Sequence, residues 1–339
     1  MAVEIRNFKL ADLSGIEGLF RKKVAKEFEW LFRDPYKKNK YNAFVAVNEK
    51  EEVVGMIAYA LASYKYYDRK VRGVIPMSWM IRQDYKGFIG IKLIKKVFEL
   101  GDFGLAIGGS TAAKEIYPVF KLQHTGNVDE YYMLFNPFES VLSGSKSFKN
   151  SLGTTLIALP SFLFKRYRYQ KKIADLEIVH LKSLKGIDIN NPFEHKTFLK
   201  QVDKSFLEWL LDCPLHESHS FLIRLANNTL GVAICYIERR GRYSRGRIVH
   251  YPYLGSDLNI WTEVLKYLLT FLMKEKCCIV SALAYHPIQT KILKKLNFYR
   301  NPRKSKPLYV RDLKGLLANV PLREWLIQYS EGDKAYRNL

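Results

Sequence analysis

The chain has 339 residues, of which 48% are hydrophobic, and its formal net charge is +22. This length suits two domains of ordinary size, and the hydrophobic share is enough to bury two cores. The longest apolar stretch, residues 152–164, is too short for the roughly 20 residues that cross a bilayer, and the start lacks the apolar segment of a signal peptide. The four cysteines form no Cys-x-x-Cys pair, which predicts reduced thiols and a cytoplasmic protein.

The first part of the chain predicts an α/β arrangement in which strands and helices alternate. Strands are predicted from apolar runs at residues 3–8, 43–47, 53–61, 71–82, 104–108 and 130–136. Helices are predicted from apolar residues at helical spacing beginning at residue 10 and at 27–32, 87–100 and 111–122. Pro76 predicts either a weak first part or a bulge in the fourth strand, and Pro118 interrupts the last helix.

A linker is predicted between two halves. Residues 152–164 are apolar and lead into the basic run 165–172. The segment 152–172 predicts either an interdomain helix with a solvated basic end or a surface that contacts anionic membrane. We therefore divide the chain into a first domain (1–138), a linker (139–175) and a second domain (176–339).

The second half repeats the order of elements found in the first. Its strands are predicted near 221–225, 230–239, 246–253, 278–283 and 308–311, and its helices at 260–274 and 287–296. In both halves a Trp precedes a Pro by five positions, at Trp30 and Trp209. This shared order of unlike elements predicts two copies of one α/β domain.

The strand-to-helix turn in residues 81–93 is a candidate phosphate site. Free backbone N–H groups and the positive end of a helix dipole meet at such a turn. Gly87 and Gly90 would let the backbone approach a pyrophosphate closely. The sequence therefore predicts a ligand carrying phosphate groups at this turn.

Residues 85–91, Tyr-Lys-Gly-Phe-Ile-Gly-Ile, resemble the Tyr-Arg-Gly-x-Gly-Ile-Gly loop of the GNAT superfamily of acyl-CoA-dependent N-acyltransferases. The similarity extends to the flanks, where residues 76–81 resemble the strand that pairs with the pantetheine arm and 108–122 resemble the closing strand and helix. The loop lacks the middle glycine of the family. The resemblance implies two tandem GNAT-like domains, each with a mixed, mostly antiparallel central sheet flanked by helices, the second a degenerate copy.

The resemblance also implies an acyl-CoA co-substrate, acetyl-CoA or another. It assigns cofactor binding to Met80, Ile81, Arg82, Lys86, Gly87, Phe88, Ile89, Gly90 and Ile91. The backbone near Met80 or Ile81 would hold the thioester carbonyl. The general acid would be Tyr117, with Ser110 as an alternative, unless Phe120 takes the place of the tyrosine.

The acceptor side is assigned to the helix at 27–32. Glu29 and Glu27 are the candidate bases, and each could equally be a solvated helix residue. Trp30 would line the acceptor cleft or pack in the core. The implied substrate is a small primary amine, in one version an amino sugar of surface polysaccharide.

Other functions remain open at this stage. The basic clusters at 140–174 and 291–311, which contain no acidic residue, favour polyanions. They suit a tRNA-using peptidyl transferase, or a non-catalytic protein that binds nucleic acid or a membrane surface. The stretch from Cys213 to His219 has metal-ligand residue types, but Pro214 breaks it and no fourth ligand is near, so no metal is predicted. The oligomeric state is not predicted.

Overall fold

The computed structural model describes residues 2–20, 25–37, 40–66, 69–85, 87–136, 173–189, 198–240, 243–317, 320 and 324–331. The strands are β1 (Val3–Asn7), β2 (Ala43–Asn48), β3 (Val53–Tyr66), β4 (Arg69–Ile81), β5 (Phe103–Ile107), β6 (Gln123–Leu134), β7 (Leu176–Leu181), β8 (Leu199–Lys200), β9 (Glu217–Leu225), β10 (Asn228–Arg240), β11 (Tyr243–His250), β12 (Cys277–Ala284), β13 (Tyr299–Arg300) and β14 (Lys306–Asp312). The α-helices are α1 (Leu13–Phe20), α2 (Ala25–Phe32), α3 (Phe88–Phe98), α4 (Thr111–Ile116), α5 (Lys204–Leu211), α6 (Leu258–Lys274) and α7 (Pro287–Lys295).

The chain divides into two compact units, each assembled from separate segments. Unit 1 contains residues 1–127, 196–209 and 306–322, and unit 2 contains 128–195, 210–305 and 323–339. The predicted domains were contiguous ranges that follow the two repeats, and they stay a prediction. The units interleave along the chain because each takes a strand from a distant part of it.

Unit 1 is a mixed, mostly antiparallel sheet flanked by helices. Its strand order is β1-β2-β3-β4-β5-β14, and β8 adds to the far end of β3. Only β4 and β5 are parallel among these pairs. α3 packs on the sheet through Leu93, Ile94, Val97 and Phe98, which are buried at helical spacing, and this matches the predicted helix.

The predicted irregularity at Pro76 is a bulge in β4. The register with β3 shifts between the pairs Ala58–Met77 and Met56–Met80, so β4 carries an extra residue. Ser78, within the bulge, has φ of 47°, an uncommon value for a residue with a side chain.

Unit 2 has its strands in the corresponding order, β7-β9-β10-β11-β12 followed by the end of β6, with β13 on the other edge of β6. β11 and β12 are its parallel pair. The α/β fold class predicted from the sequence is confirmed. In each unit the strand beyond the parallel pair comes from elsewhere in the chain, β14 in unit 1 and β6 in unit 2.

The two repeated tryptophans lie together in unit 1. The rings of Trp30 and Trp209 stack with centroids 4.7 Å apart and an interplanar angle of 7°. Each indole N–H donates to the other residue's carbonyl oxygen, at 2.9 Å from Trp30 and 3.1 Å from Trp209. Both polar groups are thus satisfied in a buried setting, which explains why the same residue type recurs at this position in both copies.

The predicted linker lies outside the described residues, apart from 173–175. The segment 152–172, interpreted above as either an interdomain helix or a surface that contacts anionic membrane, therefore has no structural account. No helix in the described part of the chain is long and apolar enough to span a bilayer.

Candidate functional site

The parallel strands β4 and β5 separate shortly after they begin to pair. Their register contains only the pairs Gly73–Phe103 and Val74–Gly104, although β4 continues to Ile81 and β5 to Ile107. Beyond Val74, no described strand pairs with this edge of β4. The sheet of unit 1 therefore splits open between β4 and β5.

The backbone of Ile81 faces this split. The N–H of Arg82 donates to the carbonyl oxygen of Val54 at 2.8 Å, on the β3 side. Backbone groups of successive strand residues point to opposite edges, so the N–H and C=O of Ile81 point away from β3. The sequence left Met80 and Ile81 as alternative backbone donors, and the strand geometry favours Ile81.

The N-terminus of α3 follows β4 after a short turn. Gly87 is the N-cap residue with φ of 102°, and apart from its chain neighbours and the helix backbone, no atom of the described residues lies within 4 Å of the position that a Cβ would take. A residue with a side chain would be strained there for backbone reasons alone. The N–H groups of Phe88, Ile89 and Gly90 form the first turn and have no acceptor within the helix.

Gly90 also lies in close contact with β4, and its predicted role in cofactor binding stays a prediction. A Cβ at this position would lie 2.6 Å from Cδ1 of Ile81 and 3.1 Å from Cζ2 of Trp79. The missing side chain therefore allows α3 to pack closely on β4, which fixes the distance between the helix N-terminus and the split. Phe88 is 68% exposed and Ile91 is half-buried. Lys86 lies outside the described residues.

Arg82 is held by carboxylates beside this turn. Its guanidinium contacts Asp84 at 2.9 Å and Glu52 at 3.5 Å, and it lies over the ring of Tyr85 at 4.7 Å. Hydrogen bonds, first to Asn48 and then to Arg82, lower the pKa of Glu52. The Arg82 cation, assigned from the sequence to cofactor binding, is therefore already engaged within the protein.

Tyr117 follows the last residue of α4, and its side chain reaches back to the turn between β5 and α4. It is buried, and its hydroxyl would lie 2.7 Å from a Cβ placed on Gly109, whose φ of 119° requires glycine. Its ring packs against Tyr309 of β14 with centroids 4.8 Å apart. The hydroxyl is thus directed at the glycine loop that follows β5.

The alternatives to Tyr117 have structural roles. The Ser110 side chain caps α4 by accepting a hydrogen bond from the N–H of Ala113 at 3.2 Å. Phe120 is buried in the core of unit 1. α4 ends at Ile116 rather than continuing to residue 122, because Pro118 cannot continue the helix and starts a 3-10 turn instead.

α2 carries the residues predicted for the acceptor side. Glu29 is exposed and Glu27 is half-buried, so both are compatible with a solvated face. Trp30 is only 2% exposed and stacks on Trp209. Of the two interpretations of Trp30, core packing agrees with the structure. The position of Trp30 gives no support to a role in lining the acceptor cleft.

No group of three or more His, Cys, Asp or Glu side chains in the described ranges is arranged to hold a metal ion. Cys213 is buried, and His216 packs on the ring of Tyr236 at 5.3 Å. His219 contacts Glu217 at 3.1 Å and His180 at 3.3 Å. The four cysteines are buried free thiols.

No protein-family model and no curated protein matches the sequence. Among solved structures, the chain is similar to N-myristoyltransferase of Saccharomyces cerevisiae with bound myristoyl-CoA. The TM-score is 0.59 and the identity 12%, over 92% of this chain and 79% of that one. A GCN5-related N-acetyltransferase from Anabaena variabilis ATCC 29413 gives a TM-score of 0.58 at 12% identity, over 92% and 73% of the two chains.

A probable N-acyltransferase from Enterococcus faecalis V583 also has a TM-score of 0.58, at 10% identity, over 94% of this chain and 75% of that one. The fold is that of the GNAT superfamily. This confirms the resemblance drawn from residues 85–91 and their flanks. At these identities the likeness concerns the fold, and the activity must be argued from the site.

The sequence missed one contact of this site and signalled the bulge in β4 only indirectly. Tyr309 belongs to a strand more than 180 residues from Tyr117 along the chain, and a local pattern cannot reveal that contact. The bulge at Ser78 was signalled only by Pro76, two residues earlier, because proline lacks the N–H that a regular ladder needs.

Proposed function

We propose that unit 1 binds acyl-CoA and transfers an acetyl or other short acyl group to a primary amine. The observation that carries the proposal is the split between β4 and β5, with the N–H of Ile81 on its open edge and the N-terminus of α3 one short turn away. An extended pantetheine arm suits the strand edge, and a pyrophosphate suits the helix N-terminus. The GNAT fold and the acyltransferase activity named for its structural neighbours support this reading.

The transfer would proceed by direct attack of the amine on the thioester carbonyl. The Ile81 N–H would donate a hydrogen bond to the carbonyl oxygen as negative charge develops on it. A bond forms between nitrogen and the acyl carbon, and the carbon–sulfur bond breaks. The leaving thiolate would take a proton from the Tyr117 hydroxyl, and Glu29, with Glu27 as alternative, would accept the proton lost by the amine.

The acceptor class follows from charge rather than from a recognised pocket. With a net charge of +22, the protein would attract anionic amines, and an amino sugar carried on a surface polysaccharide fits that chemistry. The cytoplasmic location predicted from the cysteines belongs with this proposal.

A second function is favoured by the exposed lysines of α7. Lys291, Lys294 and Lys295 are exposed, as is Arg303 in the turn that follows. Such a surface suits the phosphate backbone of tRNA, as a peptidyl transferase that uses aminoacyl-tRNA would need. Binding that weakens steeply with salt concentration would favour this alternative over a small acceptor.

Calorimetric titration with acetyl-CoA tests the leading proposal. Gly87→Glu places a carboxylate at the helix N-terminus and should abolish binding, because it repels the pyrophosphate and strains the cap. Gly186→Glu is the matched control, since Gly186 also has a positive φ of 76° and open space around it. Absence of acetyl-CoA binding by the unmodified protein at millimolar ligand, or equal loss in both variants, would refute the proposal.

A further inference from the structure

Residues 324–331 form a buried segment of unit 2. Trp325 is fully buried, and every residue from 325 to 331 is buried as well. The run contains polar residues, Gln328, Ser330 and Glu331, that seldom reach such depth unless they are hydrogen-bonded. This segment therefore occupies a site with polar partners.

The segment lies where β11 and β12 stop pairing. Their parallel register runs from Ser244–Cys277 to Arg247–Ser281, whereas β11 continues to His250. Beyond that point the Gln328 side chain forms hydrogen bonds with both the backbone N–H and the backbone carbonyl of Tyr251. Its Oε1 accepts from the Tyr251 N–H at 2.8 Å, and its Nε2 donates to the Tyr251 carbonyl oxygen at 2.9 Å.

Further contacts hold the segment from both sides of this opening. The Ile327 carbonyl oxygen accepts a hydrogen bond at 3.1 Å from Nε2 of Gln289, in the first turn of α7 after β12. The Tyr329 hydroxyl donates to Oε1 of Glu130, on β6, at 2.5 Å. On the β11 side, the guanidinium of Arg247 lies 4.5 Å from the Tyr329 ring centroid.

The corresponding place in unit 1 is the split between β4 and β5, to which the proposed function assigns acyl-CoA. We propose that the opening between β11 and β12 is a polypeptide-binding cleft that residues 324–331 fill in cis, so that each chain retains a single acyl-CoA site. The contacts are those that a peptide makes. The backbone of Tyr251 in the cleft bonds the amide side chain of Gln328, and the cleft's Glu130 carboxylate and Arg247 cation contact the hydroxyl and the ring of Tyr329. The expectation of one acyl-CoA site per chain rests on the proposed function. The filling of the cleft by residues 324–331, called its closure below, does not.

Hydrogen exchange in the full-length protein tests the closure directly. In the unmodified protein, the amide of Tyr251 should be protected, and Gln328→Ala should speed its exchange by roughly tenfold or more in peptides covering 247–254. Gln123→Ala, which changes an exposed glutamine, is the control and should leave these peptides unchanged. Fast exchange at Tyr251 in the unmodified protein would overturn the proposal.

A second measurement probes the cleft as a binding site. A synthetic peptide of residues 322–333 should bind the full-length variant Gln328→Ala/Tyr329→Phe, whose own segment is held less firmly, and should not bind the unmodified protein. Equal binding to both proteins, or to neither, counts against a peptide cleft. Fluorescence anisotropy of a labelled peptide gives both affinities.

Acetyl-CoA stoichiometry separates the two proposals. We expect one molecule per unmodified chain and none for Gly87→Glu. Two molecules per chain, or binding that survives in Gly87→Glu, would show that unit 2 accepts the ligand and would overturn the closure. If the unmodified protein binds no acetyl-CoA, the proposed function fails, and the exchange measurement still decides the closure.

Discussion

The two units open their sheets between corresponding parallel strands, yet the openings differ in what lies beyond the last paired residues. In unit 1, β4 and β5 part after Val74, and the backbone edge at Ile81 faces the split. In unit 2, β11 and β12 part after Arg247, and Gln328 satisfies the next backbone groups at Tyr251. A shared fold thus provides the same opening twice, and the side chains around it decide whether a ligand or the chain itself completes it.

The largest expected effect is a loss of stability when the buried segment 324–331 of unit 2 loses its tryptophan. Trp325→Ala should reduce the free energy of unfolding by about 3–5 kcal/mol, because a fully buried ring leaves a cavity. Trp79→Ala, beside the split of unit 1, should cost only about 1–2 kcal/mol, because that side chain is half-buried. Urea denaturation measures both, and equal losses would remove the contrast between the two openings.

The next effect concerns the hydrogen bond between Tyr329 and Glu130. Tyr329→Phe should destabilise the protein by about 1–3 kcal/mol, because the buried carboxyl loses a donor at 2.5 Å. Burial and the nearby Glu130 both raise the pKa of Tyr329, which keeps the phenol protonated as a donor at neutral pH. A double-mutant cycle with Glu130→Gln measures the coupling. Additive losses would show that the two side chains do not support each other.

The N-caps of the helices that follow the two parallel strand pairs, α4 and α7, should respond differently to pH. α4 is capped by Ser110, whereas α7 is capped by the ring of His286, which accepts from the N–H of Ile288 at 3.1 Å. Burial lowers the pKa of His286 from 6.5 to about 4. Between these values the unfolded chain binds a proton that the folded protein does not, so stability is lost as the pH falls from 6.5 to about 4.

His286→Ser keeps a helix cap and removes the titration. Unfolding free energies at pH 7 and pH 4.5 should then differ by about 1 kcal/mol less than in the unmodified protein, after allowance for solvent screening at a half-buried site. An unchanged pH dependence would contradict the assignment. Ser110→Thr is the control, because it preserves the cap of α4 and adds no titrating group.

The smallest expected effect is at Arg82. Arg82→Gln should leave the midpoint of urea unfolding unchanged, because its ion pairs with Asp84 and Glu52 are exposed. Acetyl-CoA affinity should fall by less than roughly threefold, because these carboxylates already neutralise the cation. A tenfold loss in calorimetry would mean that Arg82 leaves its partners to bind phosphate.

Local patterns predicted the elements around the site. The apolar spacing of residues 91–98 predicted α3, Pro76 signalled the bulge, and Gly87 marked the predicted start of the helix. Each of these depends on a few neighbouring residues. The same reasoning predicted the fold that the solved N-acyltransferase structures share, because the order of such elements is itself informative.

Contacts between residues that are distant in sequence could not be predicted from local patterns. β6 begins at Gln123, seven residues before the predicted strand, because its polar first half showed no apolar pattern. The partner of β5 could not be inferred, since nothing in residues 306–312 distinguishes one antiparallel neighbour from another. Segment 324–331 was not predicted to be buried, because its polar residues find their partners only after folding.

The strand β14 has a consequence for how the protein is made. Its residues pair with β5 from Leu308–Ile107 to Asp312–Phe103, so the sheet of unit 1 includes a partner that is synthesised some 200 residues later. The ribosome must therefore synthesise the chain through residue 312 before unit 1 can finish folding. Until then the outer edge of β5 is an unsatisfied strand edge that can pair with other nascent chains. Synthesis of this protein should accordingly depend on chaperones that hold the N-terminal half until its last strand arrives.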